Sequence, residues 1–229
     1  MASLPRHLGK CDVHGMRLRS LLVLLGLTMG LMPSALAFRG VIDDPDGFTY
    51  VRAAESPDSA VVARVKTGEV FEFEPEQAIE RPSEWRKVKL ASGQEGYMHF
   101  SRIRFHATMA DLAEKQPGDA ANLCARGKGL DYYPLARAAA GGEKEAMKSY
   151  FGLVCDGDGF YVHAEVCRSV IHLLGDEKLS KFLRGQSNEY LVNLREVAEY
   201  TTRTAKGNDA YMKRAFPKAS RILYAAPPS

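Results

Sequence analysis

The chain has 229 residues, 31 of them basic and 28 acidic. Residues 1 to 37 hold four of the basic ones (Arg6, Lys10, Arg17, Arg19) and one acidic one (Asp12), so the remainder balances at 27 against 27. That balance excludes nucleic acid as a partner, because phosphate neutralisation by a basic excess supplies most of the affinity of such binders.

The first segment reads as an export signal. Met16-Arg17-Leu18-Arg19 is a short basic start, Leu21 to Leu31 is an apolar run of about 11 residues, and Pro33-Ser34-Ala35-Leu36-Ala37 ends in a small-x-small pattern. The order predicts cleavage after Ala37, with Met16 as the start of translation. A spanning helix needs roughly 20 apolar residues, so no stable membrane insertion is expected after cleavage. The chain is expected in the periplasm or outside the cell.

From Val41 to Phe105 short apolar runs alternate with turn clusters. Val41-Ile42, Phe48 to Arg52, Val61 to Val65, Val70 to Glu74, Trp85 to Leu90 and Tyr97 to Phe100 read as strands. Asp43 to Gly47, Ser56 to Ser59, Thr67 to Glu69, Arg81 to Ser83 and Ser92 to Gly96 separate them. Such spacing means a sandwich or a small barrel. Period-two alternation puts Val88, Leu90, Met98 and Phe100 in the core, with Trp85, Lys87, Tyr97 and His99 on the opposite face. Those aromatics either pack under a covering segment or form a groove for an extended ligand. His99 and His106 have no second ligand at metal spacing nearby.

This stretch resembles the bacterial SH3-like (SH3b) family through four motifs in order. They are Asp46-Gly47-Phe48-Thr49-Tyr50-Val51-Arg52, Lys66-Thr67-Gly68-Glu69-Val70-Phe71, Trp85-Arg86-Lys87-Val88, and Gly93 through Gly96-Tyr97-Met98-His99. It departs from the family pattern at Tyr50, where Asn is usual, and in a long insertion from Glu74 to Ser83. The resemblance implies a barrel over residues 38–107 that binds peptidoglycan or an envelope protein, with Tyr50, Trp85, Tyr97 and His99 as candidate ligand-binding residues.

After Thr108 the composition turns to Ala, Leu, Glu and Lys at helical spacing. Helices are predicted near 109–115, 119–126, 132–140, 143–153, 161–174, 177–184, 188–204 and 209–223, with Asp176, Ser187 and Asn208 as N-caps. Val162, Val166, Val170, Leu173 and Leu174 form one apolar face, and Leu191, Leu194, Val197 and Ala198 another. Leu135 to Gly142 and Leu174 to Lys178 resemble the uncharacterised helical extensions that accompany some SH3b domains. The expected fold class is α+β with separate domains: a small SH3-like β-barrel, then an all-α antiparallel helical domain over 108–229.

Cys124, Cys155 and Cys167 follow the signal, and an oxidising compartment makes one disulfide plausible. Three pairings are open. Cys155 with Cys167 is favoured, because it ties a Gly-rich loop to the next helix at about 3 kcal/mol in the chain-entropy model.

Asp156-Gly157-Asp158-Gly159 with Glu165 imitates a calcium loop, but its first position is Val154 rather than Asp, and a turn that caps the next helix is favoured. No metal or cofactor is expected. A Cys/His hydrolase would need Cys124, Cys155 or Cys167 beside His163 or His172, and no nucleophile motif surrounds any of these cysteines. The expected function is therefore a non-enzymatic exported binding protein of the cell envelope. The alternative is an inhibitor or immunity-type protein that holds a periplasmic protein target through its helices. A weaker one is a cell-wall hydrolase.

Overall fold

The computed structural model describes residues 38–74, 83–202 and 209–225. The expected export signal, the interior of the Glu74–Ser83 insertion and the expected cap Asn208 lie outside the described residues.

Among the described residues seven strands come first: β1 (Phe38–Ile42), β2 (Phe48–Arg52), β3 (Val61–Lys66), β4 (Phe71–Phe73), β5 (Trp85–Lys89), β6 (Glu95–His99) and β7 (Ile103–Phe105). They make one sheet in the order β3-β2-β6-β5-β4-β1-β7, with every neighbouring pair antiparallel. Alternation sets the faces, since Phe71 and Phe73, Arg86 and Val88, Gly96 and Met98, and Ile103 and Phe105 are buried while their immediate neighbours are not. Gly96 permits β6 to lie against β2, because a Cβ there would come within 2.6 Å of the Arg52 carbonyl oxygen and of a Val51 methyl.

Helices follow: α1 (Ala120–Arg126), α2 (Tyr132–Gly141), α3 (Lys144–Phe151), α4 (Gly157–Leu183), α5 (Asn188–Thr202), α6 (Ala210–Ala215) and α7 (Pro217–Leu223). Gly175 breaks α4 with φ 71°, ψ 168°, which a glycine adopts without steric cost. The boundary between the two helices expected at 161–174 and 177–184 falls at that break. Asp119 accepts from the Asn122 N–H and caps α1, and Ser187 Oγ accepts from the Tyr190 N–H at the start of α5. Asp176, expected to cap its own helix, accepts instead from the Lys218 and Ala219 N–H groups and caps α7. The two expected apolar faces form: Val166, Val170, Leu174, Leu191, Leu194 and Ala198 are buried, and Val162, Leu173 and Val197 pack against the core. Among the described residues no helix is long and apolar enough to cross a membrane.

The mixed α+β composition is as expected, but two finer expectations are corrected. The sheet is open rather than a closed barrel, with β3 and β7 as its edges. Sheet and helices also share one continuous core within a single compact unit, rather than forming separate domains. Both corrections have the same cause. Helices rather than another strand cover the β7 end: Phe105 meets His172 at 5.6 Å and Tyr211 at 5.1 Å between ring centroids, and Phe100 stacks on Tyr211 at 5.8 Å. Tyr211 Oη accepts from the Phe105 N–H at 3.0 Å, and Arg214 donates to the carbonyls of Phe100 and Ile103 and to Asp43.

The cysteine pairing is corrected as well. Cys124 is bonded to Cys155, across 31 residues, while Cys167 is free and buried. Cys167 sits on the face of α4 that enters the core, whereas Cys155 lies in the loop beside α1. A disulfide is compatible with an oxidising compartment.

Candidate functional site

The four residues singled out from sequence lie on the sheet face away from the buried core. Trp85 and His99 are direct cross-strand partners, with ring centroids 5.5 Å apart and planes at 89°. Tyr97 pairs with Lys87 of β5 on one side and Arg52 of β2 on the other. Tyr50 is two residues from Arg52, so it shares that face; it is 43% exposed. Trp85, Tyr97 and His99 are half-buried.

Polar contacts fix the orientation of this face. His99 Nδ1 accepts from the Ser101 N–H at 3.3 Å and faces Ser101 Oγ at 2.7 Å, while Nε2 lies 3.2 Å from Glu84 Oε2. This arrangement suits a proton on Nε2 donated to the carboxylate. Lys87 pairs with Glu95 at 2.9 Å, and that hydrogen bond holds the lysine above and the carboxyl below their ordinary ranges.

Sequence reasoning missed the cationic partners of these aromatics. Arg64 lies 3.5 Å from the centre of the Phe48 ring, Phe48 meets Tyr50 edge-on at 5.5 Å, and Arg52 lies 6.0 Å from the Tyr50 ring. The register Tyr50↔Arg64 was the available signal, because it follows from the hairpin between β2 and β3. Arg86 was also missed. It is only 4% exposed, on the core side of β5, with its guanidinium 4.7 Å from the Phe100 ring and donating to the Ser83 and Trp85 carbonyls.

The other features weighed from sequence have structural roles. Asp156 stands at the N-cap of α4, with Asp158 and Gly159 in its first turn, so the calcium-loop pattern is occupied by helix. Among the described residues no group of three or more His, Cys, Asp or Glu side chains could hold a metal ion. His163 and Cys167 share α4 but both are buried. His163 Nδ1 is 2.9 Å from Tyr132 Oη, itself 3.2 Å from Tyr150 Oη. Burial, with a smaller effect of the Lys128 charge, pushes His163 down to about 4. Burial pushes the Cys167 thiol far up, away from the thiolate that nucleophilic chemistry needs.

A cavity of about 330 Å³ lies where the sheet meets the helices, lined by Phe38, Phe105, Val166, Arg168 and His172 among others. Arg39 pairs with Asp111 at 2.5 Å across its rim. Burial raises the Asp111 carboxyl, but hydrogen bonds from Thr108 and the Arg39 charge outweigh it and hold the group below its usual range. Burial, with the charges of Arg168 and Arg104, pushes His172 down to about 3; its neutral Nε2 lies 3.1 Å from Tyr211 Oη.

No protein-family model, curated protein or solved structure matches this chain.

Proposed function

We propose that this chain is an exported, non-enzymatic binding protein of a bacterial envelope, in which an SH3b-like sheet takes peptidoglycan or a wall-associated protein across its outer face. One observation carries the reading. Tyr50, Trp85, Tyr97 and His99, distant in sequence, share one face with Arg52, Arg64 and Lys87. Flat rings flanked by cations suit an extended, hydroxyl-rich and partly anionic polymer. The Cys124–Cys155 disulfide supports residence in the periplasm or outside the cell.

The test is cosedimentation of the chain lacking residues 1 to 37 with purified sacculi, together with fluorescence of Trp85, the sole tryptophan. Retention with the sacculi and a change in Trp85 emission on adding soluble muropeptides are expected. Full recovery in the supernatant with unchanged emission would overturn the polymer reading.

A second reading, capture of a protein target by the helical half, rests on a different observation. Phe160, Tyr161 and Tyr200 cluster with ring centroids 5.2 to 5.8 Å apart, and Tyr161 and Tyr200 are half exposed. Enrichment of one envelope protein that disappears in a Tyr161→Ser, Tyr200→Ser variant would favour it.

A further inference from the structure

The outer face leaves unexplained the cavity at the sheet–helix junction, which has an arginine at its heart. Arg168 projects from α4 and rests against two rings, 3.8 Å from the centre of Phe38 and 4.7 Å from that of Phe105. Among the described residues it makes no hydrogen bond and no ion pair. The acids nearby are otherwise engaged. Asp111 is held by Arg39 and Thr108, and Asp119 accepts from the Tyr133 hydroxyl and the Asn122 N–H. Glu165, one turn earlier on α4, is exposed and outside ion-pair distance.

Arg168 is half-buried and lines the cavity, so its guanidinium meets the cavity's solvent and two rings rather than a protein anion, and ring contacts replace only part of what an anion would supply. Burial pulls the group down to about 10, against the smaller upward pull of Glu165, Tyr211 and Asp111. It stays charged at neutral pH and lacks a counter-charge in contact. The surroundings narrow what could supply one. The volume falls within the range of small-molecule sites, Phe38, Phe105 and Val166 offer apolar contact, and Ser169 and His106 add polar groups to the lining. A planar guanidinium fork matches a carboxylate in two parallel hydrogen bonds.

We propose that this cavity binds a small organic carboxylate with an apolar body, its carboxylate on Arg168 and its body against Phe38, Phe105 and Val166. The site is separate from the outer sheet face, and its existence does not rest on the envelope reading.

The experiment uses the whole chain lacking residues 1 to 37, with benzoate and hexanoate as probes and hexanamide, inorganic phosphate and sulfate as controls, read by thermal shift and calorimetry. Benzoate or hexanoate should raise the melting temperature by several degrees at saturation, as ligation of the native state alone requires, and the controls should not. Arg168→Lys keeps the charge but loses the fork and should weaken binding at least roughly tenfold. Arg168→Met should abolish the response while melting close to the ligand-free wild type, because it removes a half-buried cation that has no anionic partner and keeps a side chain of similar length against the rings. Three results would each overturn the proposal. They are no response of folded wild type to either carboxylate, an equal response to phosphate, and an Arg168→Met protein that melts several degrees lower, which would make the arginine a structural member of the core.

Discussion

The two faces of the sheet use the same side-chain types to opposite ends. On the outer face Tyr50, Trp85 and Tyr97 stand beside Arg52, Arg64 and Lys87, partly solvated and with Lys87 neutralised by Glu95. At the junction Phe100, Phe105 and Tyr211 meet Arg168 and Arg214 and hold the sheet to the helices. Solvent makes the difference. On the open face an aromatic beside a cation contributes little to stability and is free to meet a ligand; at the junction, where Phe100, Phe105 and Tyr211 are buried and the arginines half-buried, the same pairing helps hold sheet to helices.

The sharpest way to break this comparison is to remove one side of the junction. A fragment ending near Ala107 would expose Phe100 and Phe105, lose the Tyr211 partner of the Phe105 N–H, and lose Arg214 from the Phe100 and Ile103 carbonyls. We expect residues 38–107 alone to show no cooperative urea transition and little near-ultraviolet circular dichroism. In the whole chain, Tyr211→Phe should cost about 1–3 kcal/mol through the buried N–H left without its acceptor. A cooperatively folding fragment would restore the picture of two independent domains.

The core should also be acid-sensitive, through two histidines of α4. His163 and His172 are held near 4 and 3 in the native state, against about 6.5 in the unfolded chain, so only the unfolded state takes up protons as pH falls below 6.5. The stability that burial of the neutral rings allows is fully present above pH 6.5 and is lost progressively toward those lower values. The fully buried His163 forfeits about 1.4 kcal/mol per pH unit, roughly 2 kcal/mol at pH 5, and the half-buried His172 adds a smaller amount because solvent in the cavity screens it. Most carboxylates are still ionised at pH 5, which keeps the effect separable. Urea midpoints at pH 7 and pH 5 measure it, and His172→Phe should remove the smaller part of the slope. A stability independent of pH in this window would mean that both rings reach water.

The disulfide sharpens the comparison within the helical half. Closing 31 residues between Cys124 and Cys155 should be worth about 3–4 kcal/mol in the chain-entropy model, lost on reduction or in a Cys124→Ser, Cys155→Ser double variant. Maleimide should label no cysteine in the native chain lacking residues 1 to 37 and one, Cys167, after unfolding without reductant. Labelling of Cys124 under those conditions would revive the Cys155–Cys167 pairing.

How much was legible in the sequence follows the same division by solvent. The strands, the sorting of Val88 and Met98 from Trp85 and Tyr97, and most helix positions came from period-two and helical patterning, which records which side of an element meets water. Patterning cannot say which buried face meets which. Phe105 and Tyr211 look like ordinary core residues at any spacing, so neither their 106-residue pairing nor the shared core could be read. Arg168 reads as one more charged residue on a helix, and only the placement of Phe38 and Phe105 against it shows otherwise. The disulfide failed for a related reason. Proximity along the chain favoured Cys167, whereas helix phase turned Cys167 into the core and brought α1 to Cys155.

The smallest effect on stability, and the one most informative about binding, belongs to the outer face. Tyr50 is largely solvated, so Tyr50→Ser should change stability by no more than about 0.5 kcal/mol, and the half-buried Trp85→Ala by about 1–2 kcal/mol. If rings on this face stack on an extended ligand, each truncation should nevertheless weaken sacculus retention roughly tenfold, since a flat aromatic contact is worth more than a kilocalorie per mole at a binding surface. Tyr50 carries the greater weight here because its loss is not confounded by unfolding, whereas Trp85 also supports His99 and through it the Glu84 contact. Arg168→Met is the internal control, since it lies off this face and should leave retention unchanged. A Tyr50→Ser, Trp85→Ala protein that is folded and fully retained would mean that the aromatic face merely borders solvent and that any ligand of this chain is met elsewhere.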